Sequence, residues 1–204
     1  MPSLRLVAVA LAVVFLSACH AEPDAKYPES LGACELLPRE AAIRVTDAGG
    51  KISAAQEKES HILLPYKYCL WEYKQSTKSF WSAYRPGPIG RQLTINVQVI
   101  SAKAGGTPVA VTRYVGDRDS YHQNGSGAEA VPGIGEAAFV STSGFQGHVT
   151  GVLEFRRSNA VVTVQLSGRD CCVRKVVETD MQAANRRRLL LAAATAADQT
   201  LLGR

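Results

Sequence analysis

The clearest pattern in this sequence is an alternation of apolar and polar residues from Gln92 to Val99. The apolar members are Leu93, Ile95, Val97 and Val99, and the polar members are Gln92, Thr94, Asn96 and Gln98. Successive side chains of a strand point to opposite faces, so the pattern predicts a strand with one buried and one hydrated face. Such strands are typical of an antiparallel sheet that is open to water on one side.

Four further segments carry the composition of strands. They are residues 68–74, 136–141, 149–157 and 160–167. In the first segment Cys69, Trp71 and Tyr73 share one face, and we expect Trp71 to be buried. Only Ser158-Asn159 separates the last two segments, which predicts a tight hairpin.

Helical spacing appears before, between and after these strands. Residues 36–43 predict a short helix with Pro38 in its first turn, and Thr107-Pro108 predicts the start of a helix that Asn124 ends. In that second helix Val111, Tyr114, Val115 and Arg118 share a face. A long helix is predicted over 178–202, and its apolar stripe is Ala183, Leu190, Ala194, Ala197 and Leu201. Strands between helices predict an α+β fold, a single-domain sandwich of a mainly antiparallel sheet covered by helices.

The amino terminus carries a secretion signal. Arg5 precedes the apolar run Leu6–Leu16, and Leu16-Ser17-Ala18-Cys19 resembles the bacterial lipobox. We therefore predict a signal peptide over 1–18, lipidation of Cys19, a proline-containing tether over 19–30 and one domain over 31–204. The protein would then be anchored to the extracytoplasmic face of the cell membrane.

Two other interpretations of this amino terminus compete with lipidation. A spanning helix over 6–18 would rise only about 20 Å, short of the hydrocarbon core of about 30 Å. An ordinary signal peptide would need small residues in an Ala-x-Ala arrangement, which residues 15–18 fit poorly. Lipidation is the interpretation that the motif favours.

The formal net charge of +5 is mildly basic. Three consecutive basic residues, Arg186, Arg187 and Arg188, form a tight cluster in the sequence. The cluster has no neighbouring aromatic residues that could stack on nucleic-acid bases. We therefore expect no nucleic-acid partner. The cluster is interpreted as a solvated helix face that favours anionic lipid headgroups, with Arg186 and Arg187 at the edge of the packed side.

Lipidation of Cys19 leaves four cysteines, an even number in a compartment where disulfides persist. Three connectivities are possible. Cys171 and Cys172 are adjacent, and their joint closure as a vicinal disulfide would leave Cys34 to pair with Cys69. A metal site or redox pair at Cys171 and Cys172 is the alternative, but it lacks a second ligand pair or a Cys-x-x-Cys spacing.

Catalytic, metal and cofactor sites are not predicted. The histidines beyond the tether, His61, His122 and His148, lie in no recognisable catalytic motif. Asp117 and Asp119 flank Arg118, an arrangement that ion pairing or solvation explains. The Gly133-Ile134-Gly135 segment lacks the third glycine of a dinucleotide-binding turn. We therefore expect its glycines to serve the backbone conformation and not a cofactor.

Three motifs in order resemble a family of actinobacterial cell-envelope lipoproteins of unknown function. They are Cys34-Glu35-Leu36-Leu37, Cys69-Leu70-Trp71 and Val131-Pro132-Gly133-Ile134-Gly135-Glu136-Ala137-Ala138, and the similarity covers about residues 31–202. The resemblance implies a disulfide between Cys34 and Cys69 and a PsbP-like sandwich. Cys171-Cys172 departs from the family pattern.

The function expected from these features is non-catalytic. We expect a lipid-anchored protein that binds an envelope component or a membrane-protein partner, and the resemblance implies a use in envelope-stress signalling. One alternative is a carrier of lipid or glycolipid, which would need an apolar cavity between the sheet and the long helix. A secreted hydrolase is the weaker alternative, because it would need convergent titratable groups in a pocket.

Overall fold

The computed structural model describes residues 25–46, 56–60, 66–74, 87–145, 148–171 and 178–204. Within these ranges the strands are β1 (Gln56–Ser60), β2 (Tyr66–Lys74), β3 (Gly87–Val99), β4 (Glu129–Ala130), β5 (Ala137–Phe145), β6 (His148–Arg157), β7 (Ala160–Cys171) and β8 (Glu178–Asp180). The helices are α1 (Ala33–Leu36), α2 (Arg39–Thr46), α3 (Gly106–Gln123) and α4 (Ala183–Leu202). The predicted α+β sandwich is confirmed.

All strands belong to one antiparallel sheet in the order β1-β2-β3-β7-β6-β5-β4, and β8 pairs with β7. At its centre Ile95 of β3 lies opposite Val164 of β7, and Val97 lies opposite Val162. This register places the apolar members of both strands on one face. The predicted alternation in β3 is confirmed, since Leu93, Ile95 and Val97 are buried.

Helices α1, α2 and α4 cover this apolar face. Four members of the predicted stripe in α4 are fully buried: Leu190, Ala194, Ala197 and Leu201. Alanine has a small side chain, so the helix can approach the sheet closely. At Gly151 of β6 the approach is so close that an added Cβ would meet the Leu190 side chain at 2.5 Å.

The long helix begins later than predicted. Residues 178–180 form β8 on the edge of β7, and α4 begins at Ala183, which is exposed. Asp180 helps to hold the extended segment because its Oδ2 accepts a hydrogen bond from the Val149 amide at 3.1 Å. Strand pairing therefore overrides the helical pattern of these residues.

The helix predicted over 36–43 is divided into α1 and α2. Leu37 has an extended backbone (φ −121°, ψ 108°) directly before Pro38. The proline ring disfavours the helical conformation of the preceding residue, which accounts for the break. The Pro38 carbonyl then accepts from the amides of Ala41 and Ala42 at 2.9 and 3.1 Å, at the start of α2.

The packed domain extends further toward the amino terminus than the predicted start at residue 31. Tyr27, assigned to the tether, is 3% exposed. Its amide donates to Asn159 Oδ1 at 2.9 Å, and its carbonyl accepts from Asn159 Nδ2 at 2.9 Å. Asn159 lies in the β6–β7 hairpin, whose predicted turn at Ser158-Asn159 is confirmed.

The disulfide between Cys34 and Cys69 is confirmed. It joins α1 to β2, with the two Cα atoms 4.9 Å apart. Trp71, two residues along the same face of β2, is 5% exposed, as predicted. The bridge therefore connects the helical layer to the sheet beside a buried aromatic residue.

Candidate functional site

Helix α3 lies on the opposite, polar face of the sheet. The rings of Tyr114 and Tyr121 pack on Phe139 of β5, each with a centroid distance of 5.6 Å. Ala110 adds a small apolar contact with Ile100 and Val161. Of the predicted shared face, Tyr114 is buried but Val111 is 39% exposed, so the packed side of α3 is turned toward Ala110 and Tyr121.

A cavity of about 230 Å³ lies between α3 and this polar face. The sheet contributes three side-chain amides to its wall, those of Asn96, Gln98 and Gln165. Helix α3 contributes Arg113, Asp117 and Tyr121. Tyr66 of β2, 37% exposed, lies at the solvent side of the wall.

Glu154 lines the cavity and is its most unusual side chain. It is 4% exposed. Its Oε2 accepts a hydrogen bond from Thr163 Oγ1 at 3.1 Å. Its Oε1 is buried and has no hydrogen-bond partner among the described residues. A buried polar atom without a partner is costly, so this oxygen is a candidate contact for a ligand.

Strand geometry explains the position of Glu154. Its neighbours Leu153 and Phe155 point into the apolar core, so Glu154 points to the other face. There it lies opposite Thr163 of β7 and Phe139 of β5. Helix α3 covers the same face, and the carboxyl group is therefore enclosed.

This enclosure changes the acidity of the carboxyl group. Burial, and to a lesser extent the negative charge of Asp117, raise the pKa of Glu154 from 4.5 to about 8. The hydrogen bond from Thr163 and the charge of Arg113 oppose the shift. At neutral pH the group is therefore mostly protonated, and it can then donate as well as accept a hydrogen bond.

Burial also shifts the pKa values of two other groups in the cavity wall, Asp117 and Tyr121. Burial raises the pKa of Asp117, whereas Arg113, whose Nε lies 2.7 Å from Asp117 Oδ2, lowers it. Burial also raises the pKa of the Tyr121 phenol, and the charges of Glu154 and Asp117 add to that shift. The predicted ion pairing is confirmed for both aspartates. Asp117 pairs with Arg113 and not with Arg118, and Asp119 Oδ1 lies 3.0 Å from Arg118 Nη2.

The wall of the cavity is rich in groups that form hydrogen bonds. Among the described residues its wall holds no cysteine, serine or histidine. The Thr163 hydroxyl is hydrogen-bonded to Glu154. Amide, phenol and carboxyl groups instead offer a dense set of hydrogen-bond donors and acceptors. A small polar ligand is the partner that this set favours.

The two histidines that the structure describes, His122 and His148, lie outside the cavity wall. His122 is exposed near the end of α3, and His148 is exposed at the start of β6, 3.8 Å from Asp180. His61 lies outside the described residues. Cys19 and Cys172 also lie outside them, as does the side chain of Cys171, so lipidation and the vicinal disulfide stay predictions.

The three consecutive arginines of α4 occupy three different environments. Arg186 was expected with a hydrated head, but it is 5% exposed, and its Nη1 donates to the carbonyls of Val149 and Met181 at 3.1 and 3.2 Å. Arg187 pairs with Glu129 at 2.6 Å, and Arg188 donates to Asn185. The cluster is therefore not one solvated basic face, because Gly151 lets the stem of Arg186 lie against the sheet.

The Gly133-Ile134-Gly135 segment serves backbone geometry, as predicted. Gly135 has φ +60°, and a Cβ there would meet the carbonyl oxygen of Arg156 at 2.5 Å. Only glycine combines that conformation with so close an approach of two backbones. Ile134 between the two glycines is buried.

Sequence reasoning missed Glu154. The Leu153-Glu154-Phe155 alternation predicts an acidic side chain on the hydrated face, which is a common position for glutamate. The available signal was the spacing of Tyr114, Asp117 and Tyr121, which lie on one side of α3. A helix face of aromatic and acidic residues is suited to covering a polar surface.

No protein family, curated protein or solved structure matches this chain. The resemblance to envelope lipoproteins therefore depends on the three motifs alone. In the part of the chain that the structure describes, no helix has the length and apolar character needed to cross a bilayer.

Proposed function

We propose that this protein is a lipid-anchored, extracytoplasmic binding domain that takes a small polar ligand into the Glu154 cavity. The observation that carries the proposal is the buried Oε1 of Glu154, which lines a polar cavity without a hydrogen-bond partner among the described residues. The volume of about 230 Å³ is below the range of about 300–1,000 Å³ typical of drug-sized ligands. The ligand is therefore a small molecule or the end of a larger one.

The proposed anchor would hold the domain close to the membrane. Lipidation of Cys19 would leave eight residue steps before Tyr27, which is fixed to the hairpin by Asn159. At about 3.3–3.6 Å per extended residue, the domain would stay within about 30 Å of the lipid. Such a short tether suits a protein that samples ligands at the membrane surface or presents them to a membrane-protein partner.

The resemblance supplies the biological setting of this proposal. It favours a non-catalytic, PsbP-like envelope lipoprotein, with envelope-stress signalling as one use. The confirmed disulfide between Cys34 and Cys69 agrees with the resemblance and suits an oxidising compartment. A binding domain near the membrane fits that setting because a bound ligand can alter contacts with a neighbouring membrane protein.

Two experiments test the two parts of the proposal. For the anchor, Cys19→Ala should move the protein from the membrane fraction to the soluble fraction, and a variant that stays in the membrane would contradict lipidation. For the cavity, the full chain in detergent is screened against small polar compounds by thermal unfolding. Compounds that raise the melting temperature of the wild type should not stabilise Glu154→Gln.

The control for the cavity is Asp119→Asn. It likewise replaces a carboxyl group by an amide, but Asp119 lies on α3, pairs with Arg118 and does not line the cavity. This variant should respond to compounds like the wild type. Equal stabilisation of wild type and Glu154→Gln by every active compound would place the binding site elsewhere, and no active compound would argue against a small-molecule site.

The alternative function, a carrier of lipid or glycolipid, has one observation in its favour. A groove of about 520 Å³ lies between the start of α4 and β5, with Leu190, Val140 and Arg186 in its wall. Farther along α4 the interface with the sheet is closed by buried Ala194, Ala197 and Leu201. The carrier would be favoured if mass spectrometry of the native protein found a co-purified lipid that was lost when Ala183→Trp filled the groove.

A further inference from the structure

The charges around the Glu154 cavity are unbalanced when its carboxyl group is ionised. From α3, Arg113 is the cation of the described wall, and Asp117 already holds it at 2.7 Å. On β6, Arg156 shares the face of Glu154, but it pairs with Glu136 at 2.5 Å and donates to the Ser158 carbonyl. The charge of Arg113 acts on Glu154 from a distance, but neither cation forms an ion pair with its carboxylate, which has no ion-pair partner among the described residues.

The unpartnered oxygen defines what kind of group would supply that charge. A carboxylate oxygen accepts hydrogen bonds, so its partner must carry N–H or O–H groups. An ammonium group carries three N–H donors and a positive charge, and charge-assisted hydrogen bonds are the stronger kind. The amide oxygens of Asn96 and Gln165 can accept from the remaining N–H groups.

Aromatic rings in the wall add to this preference. Tyr121 and Tyr66 line the cavity from α3 and β2. The face of an aromatic ring attracts cations within about 6 Å of its centroid. A small organic cation would therefore meet a carboxylate, amide oxygens and aromatic rings, which together disfavour an anion.

We propose that the Glu154 cavity binds the ammonium group of a small primary amine, with an ammonium N–H donating to Glu154 Oε1. This inference rests on the proposed binding function and names its ligand class. A primary amine is preferred to a quaternary one because only the primary amine has N–H groups for the buried oxygen. The limited volume excludes a large polyamine from entering completely.

Binding of this ligand must displace the proton that Glu154 holds at neutral pH. The elevated pKa of about 8 means that the carboxylic acid loses its proton to solvent as the ammonium enters. An alkylammonium ion stays charged, since its pKa is near that of lysine, about 10.4. Below pH 8 the apparent affinity should therefore weaken about tenfold for each pH unit of acidification.

Other groups facing Glu154 should not produce this pH dependence. Tyr114 and Tyr121 of α3 have pKa values raised above 10, so both stay neutral below pH 8. Arg113 and Arg156 stay charged because guanidinium groups do not titrate in this range. Asp117 also has a raised pKa, and its ion pair with Arg113 opposes protonation.

The test is calorimetric titration of the full chain in detergent with ethanolammonium at pH 6 and pH 7. The uncharged probe is 1-propanol, in which a methyl group replaces the ammonium. We expect the wild type to bind ethanolammonium at least tenfold more tightly than 1-propanol and about tenfold more weakly at pH 6 than at pH 7. Titrations in buffers of different ionisation enthalpy should show release of about one proton per amine.

Variants distinguish binding in the cavity from binding elsewhere on the protein. Glu154→Gln keeps the shape of the side chain and should abolish the preference for the amine and the proton release. Asp119→Asn should bind like the wild type. Tyr66→Leu should weaken amine binding several-fold, because it removes an aromatic ring from the cavity wall, and it provides a test should Glu154→Gln fail to fold.

The outcomes distinguish this inference from the proposed function. If 1-propanol or other neutral compounds bind the wild type as tightly as the amine and lose affinity in Glu154→Gln, the cavity is a binding site but not for amines. If no small compound binds the wild type, both proposals are overturned. Amine binding that is unchanged in Glu154→Gln or independent of pH would also overturn the inference.

Discussion

The two faces of the sheet differ in the way their side chains are satisfied. On the apolar face Leu93, Leu153 and Leu166 are fully buried beneath the three helices α1, α2 and α4. On the polar face a single described helix, α3, covers amides and the carboxyl group of Glu154, with one oxygen unpartnered. The first face is a hydrophobic core in which the indole Nε1 of Trp71 also lacks a partner among the described residues, whereas on the second face the unpartnered atom belongs to a carboxyl group that lines a cavity.

The two faces therefore differ in role: the apolar face stabilises the fold, and the polar face is suited to binding. Burial of apolar side chains is favourable without a ligand, so the apolar face can be complete in the isolated protein. A buried carboxyl group is costly until a partner satisfies it, so the polar face is suited to a ligand. Substitutions on the two faces should therefore differ in size and in their dependence on pH.

The largest effect is expected for Leu190→Asp on the apolar face. Leu190 is 1% exposed and lies against Gly151 of the sheet. The change removes a buried leucine and introduces an unpaired carboxyl group, which together should cost more than about 5 kcal/mol. Thermal unfolding followed by circular dichroism should show an unfolded domain.

The matched control is Leu202→Asp in the last turn of the same helix. Leu202 is 46% exposed, so its replacement should change the free energy of unfolding by less than about 0.5 kcal/mol. If Leu190→Asp melted at the same temperature as this control, α4 would not be part of the core.

The second effect concerns the bridge between α1 and β2. Cys34 and Cys69 are 35 positions apart, and closure of such a loop stabilises the folded state by about 4 kcal/mol in the chain-entropy model. Urea unfolding of the Cys34→Ala/Cys69→Ala variant should show a loss of this size. Reductant should destabilise the wild type but not this variant. Peptide mapping that linked Cys34 to another cysteine would contradict the assignment.

The apolar face was accessible to sequence reasoning because its signals are local. Alternation in β3 identified the buried positions, and the motifs that contain Cys34 and Cys69 implied their bridge. The polar face was less accessible, because enclosure of Glu154 depends on where α3 lies. The burial of Tyr27 and of Arg186 likewise depends on distant partners, Asn159 and the Val149 carbonyl, which no local pattern reveals.

A smaller effect is expected where α4 touches the sheet at Gly151. A Cβ at this position would lie 2.5 Å from Leu190 Cδ1 and 2.9 Å from Arg186 Cδ. Both are flexible side chains that can shift, so Gly151→Ala should cost about 2 kcal/mol through overpacking. The control is Gly144→Ala in β5, where the nearest heavy atom would be 3.9 Å away and little change is expected. Equal chemical-denaturation midpoints for the two variants would show that α4 approaches the sheet less closely.

The smallest effect concerns pH and belongs to the polar face. The pKa of Glu154 is about 8 in the folded protein, compared with an ordinary value of 4.5. Between these pH values the folded state keeps a proton that the unfolded chain has lost. The contribution of this proton to stability is fully present below pH 4.5 and is lost as the pH rises toward 8.

Glu154→Gln removes this titration and should flatten the dependence of stability on pH. Between pH 6 and pH 7 the free energy of unfolding should fall in the wild type by about 1 kcal/mol more than in the variant, because one bound proton corresponds to about 1.4 kcal/mol per pH unit. Urea unfolding at the two pH values measures both differences. Asp119→Asn, outside the cavity, should keep the fall seen in the wild type. An equal fall in wild type and Glu154→Gln would mean that the carboxyl group titrates alike in the folded and unfolded states, and the polar face would then lack the enclosed acid that sets it apart from the apolar face.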